Sequence, residues 1–219
     1  VEVNRQYLRQ ILHSAPFARG EPWTRFLDGL SYQATTVEVL SAGTQTTVQD
    51  YPGRLGYWAV GVPPSGPMDD RALRFGNRLL NNPPDAAALE ITLTGPTLRF
   101  NTASVAVVCG APVTLMLEGK TLPMNCTFAI PAGATLTLGS MEDAGVRSYL
   151  CLRGGIVVPD YLGSKSTFTL GQFGGHAGRA LRTGDVLHLS TLTDPGAGVT
   201  LPPALVPHLP ACRLLRVIY

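Results

Sequence analysis

Residues 88–117 read ALEITLTGPTLRFNTASVAVVCGAPVTLML, and this stretch decides the fold. It breaks into the apolar pieces Ala88–Leu93, Thr97–Phe100, Ser104–Cys109 and Val113–Leu117, parted by turn formers such as Gly95-Pro96 and Gly110-Ala111-Pro112. Short apolar pieces punctuated by Gly and Pro are the pattern of a sandwich or barrel, because each piece crosses a sheet once and turns back. The rhythm extends both ways. Thr36–Leu40 alternates and turns at Ser41-Ala42-Gly43, and Tyr57–Val62, Thr127–Ile130, Thr135–Leu138 and Arg147–Leu152 are further strand candidates. One helix interrupts them, Asp69–Leu80. Met68, Ala72, Leu73, Phe75, Leu79 and Leu80 are its apolar positions, Asp69 stands where a carboxylate caps the first turn, and Asn81-Asn82-Pro83-Pro84 stops it.

The two ends differ from this body. Tyr7, Leu8, Ile11 and Leu12 fall at helical spacing after Asn4, a plausible cap, and Pro16 closes the run; a second short piece is Trp23–Leu27. A lone amphipathic helix of this length is marginal in water, so it packs either on the body or on something outside this chain. Near the other end, residues 191–210 are rich in Pro and Gly, and Arg213–Tyr219 starts a strand with no return partner, so a fragment of a longer protein is expected.

With 219 residues, 45% of them hydrophobic and 15% charged, the chain can bury a sizeable core and is globular in composition. A formal charge of +2 without Lys/Arg runs argues against a nucleic-acid or lipid surface. No apolar run spans a bilayer and no signal-peptide layout opens the chain, which reads as cytoplasmic. Cys109, Cys126, Cys151 and Cys212 form no C-x-x-C pair, and reduced structural thiols are expected rather than disulfides. Neither a His pair nor a carboxylate triplet supports a metal site.

Three segments are too polar and glycine-rich for core packing alone. Gly61–Asp69 (GVPPSGPMD) runs from a strand candidate into the helix; its prolines stiffen a loop that carries Pro64 and Ser65 at a helix N-terminus. It is an oxyanion site or a capped connection. Gly163-Ser164-Lys165-Ser166-Thr167, followed by Gly174-Gly175-His176-Ala177-Gly178-Arg179, offers hydroxyls, fixed positive charge and a histidine for a small polar ligand, though not at P-loop spacing. The bland alternative is a polar turn with a solvated lysine. Glu90 interrupts an apolar strand, so it lies on the wet face or in a pocket with a raised pKa. Asp50 and Arg54 bracket Tyr51-Pro52-Gly53 and could pair across a turn.

The residues also carry a resemblance. Gly43–Arg54 (GTQTTVQDYPGR) resembles the opening motif of the carboxyltransferase domain of urea carboxylases; Gly61–Asp69, Asn77-Arg78, Asn82–Ile91, Gly95–Leu98, Gly163–Thr167 and Gly171–Leu187 are similar to the segments that follow it. Val1–Leu30 is similar to the end of a biotin carboxylase domain. The resemblance thus implies a tail and linker over 1–35 and the first part of a carboxyltransferase domain over 36–219. Stand-alone relatives, one subunit of 5-oxoprolinase and a protein that binds a sporulation kinase inhibitor, give the alternatives of 5-oxoproline cleavage or a regulatory partner-binding domain. Lys165 departs from the family pattern, where arginine is more usual.

The fold so implied is mainly β, a cyclophilin-like barrel with a short N-terminal helical tail. The activity implied is transfer of a carboxyl group from carboxybiotin, held on a separate carrier domain, to urea, giving allophanate, while a biotin carboxylase domain uses ATP and Mg. Ser65, Asp69, Lys165 and His176 are then the expected catalytic residues. Pro64, Glu90, Ser164, Ser166, Thr167, Gly175 and Arg179 are expected to bind substrate. All of this requires the Pro-Pro-Ser-Gly corner and the Ser-Lys-Ser stretch to meet in space.

Overall fold

The structure, a computed structural model, describes residues 4–21, 23–30, 32, 34–141, 144–190, 198–208 and 217. Cys212 and, Val217 apart, the expected strand Arg213–Tyr219 lie outside them. In chain order the elements are α1 (Arg5–His13), α2 (Ala15–Ala18), β1 (Thr36–Ser41), β2 (Gln45–Gln49), α3 (Asp70–Leu79), β3 (Ala88–Thr92), β4 (Thr97–Phe100), β5 (Ser104–Gly110), β6 (Val113–Leu117), β7 (Lys120–Thr121), β8 (Phe128–Ile130), β9 (Thr135–Met141), β10 (Arg147–Leu152), β11 (Ile156–Val157) and β12 (Val186–Leu189).

The strands form two antiparallel sheets, ordered β11-β12-β1-β4-β9-β6-β7 and β2-β3-β10-β5-β8. The mainly-β class is therefore as expected, with the barrel built from two separate ladders. Alternation decides which residues meet between them. On the second sheet, Ala106 and Val108 of β5, Leu89 and Ile91 of β3, and Leu150 and Leu152 of β10 face inward. They pack onto Val37, Val39, Leu98, Phe100 and Leu136 of the first.

The odd-numbered set of β5 and β10 faces the other way and is buried too. Val105, Val107, Cys109, Tyr149 and Cys151 pack under Ala72, Leu73 and Leu80 of the α3 region. Coverage of both faces explains why β5 reads as a continuous apolar run. The contact is close: a Cβ on Gly76 would lie 2.5 Å from Cys151 Sγ. Cys109, Cys126 and Cys151 are free thiols. Burial pushes Cys109 up to about 12 and Cys151 well above its ordinary value, so both are protonated packing groups.

Two strand readings change. Within Tyr57–Val62, residues Trp58–Val60 form a single 3-10 turn ended by Gly61 at φ 81°, and Trp58 and Val60 are about 70% exposed. Conversely, β2 is a strand made mostly of polar residues, with Thr46, Thr47 and Gln49 buried. Upstream, α1 ends at His13 with Ser14 as its C-cap, and Pro16 sits in the first turn of α2. Tyr7 touches Tyr32, with ring centroids 5.3 Å apart, while Leu8 and Leu12 stay half exposed. No described helix is long and apolar enough to cross a membrane.

Candidate functional site

Arg54 is where two of the polar segments meet, the loop 61–69 and the stretch 163–179. It follows β2 and is 1% exposed. Its Nε donates to Tyr161 O (2.9 Å), its Nη1 to Ser65 Oγ (2.7 Å), and its Nη2 to Ser164 O (3.2 Å) and Ser166 O (3.0 Å). Its Cζ lies 4.9 Å from the Phe173 ring centroid and 5.9 Å from that of Tyr161. Burial lowers the guanidinium pKa, and the Asp50 charge opposes this most. The Gly174 turn closes over it: at φ 71°, a Cβ there would stand 2.8 Å from Nη2 and 2.1 Å from Ser166 O. The two stretches expected to converge do so on this one side chain.

Asp50 organises the other half of the hub. Its Oδ1 accepts from Ser164 Oγ and Ser166 Oγ, both at 2.6 Å, and its Oδ2 accepts the Lys165 amide at 2.8 Å. Asp50 and Arg54 therefore do not pair across the turn; they grip the same loop from two sides. A hydroxyl has one proton. Ser164 and Ser166, 1% and 0% exposed, direct theirs at Asp50 and have none left for a ligand. Thr167 Oγ1 is likewise committed to Val48 O at 2.9 Å. Ser65 differs. Its oxygen accepts from Arg54, which leaves its own proton free among the described residues and polarised by a cation.

Glu90 is 9% exposed, on the α3 side of β3 rather than on a wet face. Its Oε2 accepts from the Met68 amide (2.7 Å) and the Tyr149 hydroxyl (2.6 Å), and Arg147 Nε lies 3.6 Å from Oε1. Tyr149 in turn accepts from the Asp69 amide at 2.7 Å. Burial first, and then the Glu90 charge, push the Tyr149 phenol far above its ordinary value, so it remains a donor. This buried pair anchors the loop 61–69 to the second sheet. Asp69 caps α3 as expected, its Oδ1 accepting the Ala72 amide at 3.1 Å. Pro64 is exposed at the loop tip.

Lys165 reaches outward from the hub, with Nζ 3.4 Å from the exposed Asp85 carboxylate. The amide of Gly175 donates to Lys165 O (3.0 Å) and carries the chain to His176, which lines a cleft of about 630 Å³ with Val157, Pro159, Gly175, Asp185 and His188. His176 Nε2 is 3.5 Å from Asp185 Oδ1. Arg179 forks onto the same carboxylate at 2.7 and 2.8 Å. Among the described residues no cluster of His, Cys, Asp and Glu could hold a metal.

The Arg179 fork is the main cause that holds the Asp185 carboxyl at about 2, against the burial that would raise it, with the Arg182 amide helping. A depressed carboxyl stabilises the fold above its unfolded value near 3.9, and that contribution is lost as pH falls through about 2. Asp185→Asn is therefore expected to cost about 1–2 kcal/mol at pH 6, with the difference from the parent narrowing between pH 4 and 2. Denaturant unfolding at pH 6, 4 and 2.5 measures it, and a difference independent of pH refutes the assignment.

Asp50, Arg54, Tyr149 and Asp185 are the residues that sequence reading left out of the site. The first two stand inside the quoted Gly43–Arg54 stretch, where an Asp and an Arg bracketing a turn were the available signal. Nothing local marks Tyr149, whose partner Glu90 is brought by strand pairing, whereas Asp185 has its partners Arg179 and Arg182 within the same loop.

Residues 60–219 match the family described as carboxyltransferase domain, subdomain A and B. The chain is 40% identical over 219 residues to the urea amidolyase of Saccharomyces cerevisiae, covering 98% of this chain and 12% of that protein, so it spans about an eighth of that relative. It is 39% identical over 151 residues to a 5-oxoprolinase subunit of Escherichia coli, covering 69% of this chain and 48% of that one. The crystal structure of the K. lactis urea amidolyase superposes with a TM-score of 0.84 at 43% identity, over 94% of this chain and 13% of that one. The chain belongs to the carboxyltransferase domain family, subdomains A and B.

Proposed function

We propose that this chain is part of a urea carboxylase and helps transfer a carboxyl group to a urea nitrogen, giving allophanate. Residues 1–35 are then the tail of an upstream biotin carboxylase domain, where ATP and Mg are used, and 36–219 the first part of the transferase. The extent of similarity supports this over a stand-alone subunit: the yeast urea amidolyase matches 98% of the chain, helical tail included, whereas the 5-oxoprolinase subunit matches 69%.

The observation that carries the reading is the free, cation-polarised proton of Ser65, fixed where the loop 61–69 and the stretch 163–179 meet on Arg54. Biotin, on a carrier domain, supplies the activated carboxyl group when bound. The residues suit its neutral planar ureido group, offering one strong donor beside the Tyr161 and Phe173 rings packed on the same guanidinium. Ser65 donates to the ureido oxygen as negative charge grows there. Arg54, Asp50, Ser164, Ser166 and Thr167 hold the frame. Glu90 and Asp69 hold the Pro64–Ser65 loop and leave urea to be met at its rim. Lys165, whose ammonium is paired with an exposed carboxylate, neutralises the carboxyl oxygens. His176, steadied by Asp185 and lying next to Gly175, takes the proton that the urea nitrogen gives up, and Arg179 keeps Asp185 in place.

In the full-length protein, Ser65→Ala is expected to lower kcat/KM for urea about 100- to 1000-fold, in the range of a lost oxyanion donor. Bicarbonate-dependent ATP cleavage without urea should be unchanged. If urea does not stimulate ATP turnover while 5-oxoproline does, the reading fails in favour of the 5-oxoprolinase alternative.

A further inference from the structure

On the opposite side of α3 from Cys151 lies a second cleft, of about 650 Å³, lined by Tyr51, Arg71, Arg74, Phe75, Arg78 and Pro84 among others. None of its arginines takes part in the hub. Positions 71, 74 and 78 share one helix face and cover about 10 Å of the axis, so the three cations form a row along the cleft.

All three arginines are exposed, and two of them are held against rings. Arg74 lies 4.7 Å from the Tyr51 ring centroid and Arg71 5.9 Å from that of Phe75. Stacking occupies the flat face of a guanidinium and leaves its N–H edge to bind oxyanions in pairs. Acidic compensation is thin. Arg74 makes one half-exposed pair with Asp70 at 3.4 Å, while Arg71 and Arg78 form no ion pair among the described residues. The lining amides offer little: Asn77, 1% exposed, donates from Nδ2 to Ala86 O (2.8 Å), and Asn82 Nδ2 donates to Asn77 Oδ1 (3.0 Å) and Leu152 O (2.8 Å). What the cleft offers a ligand is guanidinium edges between apolar walls.

We propose that this cleft binds a small organic molecule with two oxyanion groups, phosphate or carboxylate, bridged along Arg71, Arg74 and Arg78. The inference stands independently of the carboxyl-transfer reading. The cleft nevertheless touches the hub: Tyr51 follows Asp50 in the chain, and Pro84 precedes Asp85, the partner of Lys165. An occupant there bears on the position of both.

The test is titration of the 219-residue chain with inorganic pyrophosphate and, separately, succinate at low ionic strength, read by calorimetry and by arginine Nε–H resonances. Saturable one-to-one binding of either is expected, the tighter probe identifying the phosphate or carboxylate source. Arg71→Gln/Arg78→Gln should weaken it at least 10-fold. Arg71→Lys/Arg78→Lys, which keeps charge without the fork, should weaken it by a smaller factor, and Arg25→Gln should leave it unchanged. The proposal is overturned if neither probe saturates, if an acidic peptide binds and they do not, or if Arg25→Gln weakens binding as much as the double variant.

Discussion

Replacing Arg54 by Leu is expected to cost the chain about 3–5 kcal/mol, the loss typical when a buried charge network is broken from one side. The guanidinium serves four acceptors: the carbonyls of Tyr161, Ser164 and Ser166, and Ser65 Oγ. Leucine fills part of the volume, but leaves those acceptors buried without a donor, each at about 1–3 kcal/mol before relaxation. The costs overlap, because a loop that loses one anchor moves and recovers some bonds with water. Arg54→Lys keeps the charge and can reach only part of the fork, so about 2 kcal/mol is expected. Equilibrium denaturant unfolding of the three proteins measures both. A loss below about 1 kcal/mol for Arg54→Leu would mean that the loops are held by something other than this side chain. On the proposed function, the same substitution in the full-length protein should also remove the polarisation of Ser65 and lower urea-dependent turnover at least as far as Ser65→Ala does.

Asp50→Ala is expected to be nearly as damaging, about 3–4 kcal/mol, for the complementary reason. The carboxylate accepts three donors from consecutive residues of one loop, Ser164, Lys165 and Ser166. Charge-assisted bonds of this kind are worth about 1.5–3 kcal/mol each, and removing their acceptor strands two hydroxyls that are almost fully buried. Asp50→Asn should recover only part of this, since its carbonyl oxygen can still accept from both serines while its amide nitrogen meets the Lys165 N–H donor to donor. Double variants separate the hub from independent contacts. Because Arg54 and Asp50 hold the same residues 164–166, Arg54→Leu/Asp50→Ala should cost at least about 1 kcal/mol less than the sum of the single changes. Strict additivity would show that the two side chains act on separate pieces of structure.

How much of this could be read from the residues depends on how far apart the partners lie. The apolar pieces of 88–117 became strands at nearly the expected bounds, as did the capped helix before Asn81, because alternation, capping and prolines act within a few residues. Tyr57–Val62 misled because an apolar, exposed 3-10 turn has the composition of a strand. β2 was passed over because Thr46, Thr47 and Gln49 look like loop residues; they are buried because their polar groups meet strands and the loop around Thr167, about 120 residues away.

By itself the sequence determined the fold class, the family and the two stretches that had to come together, since each is a property of residue type and local spacing. Only the tertiary structure decided the jobs inside those segments. It left Ser65 a free proton while Ser164 and Ser166 spent theirs on Asp50, made Arg54 a keystone rather than half of a turn pair, and buried Glu90 under Tyr149. The physical reason is that a polar group's role depends on which of its donors and acceptors are already satisfied. In the hub those partners arrive from about a hundred residues away, through pairings that local spacing does not encode.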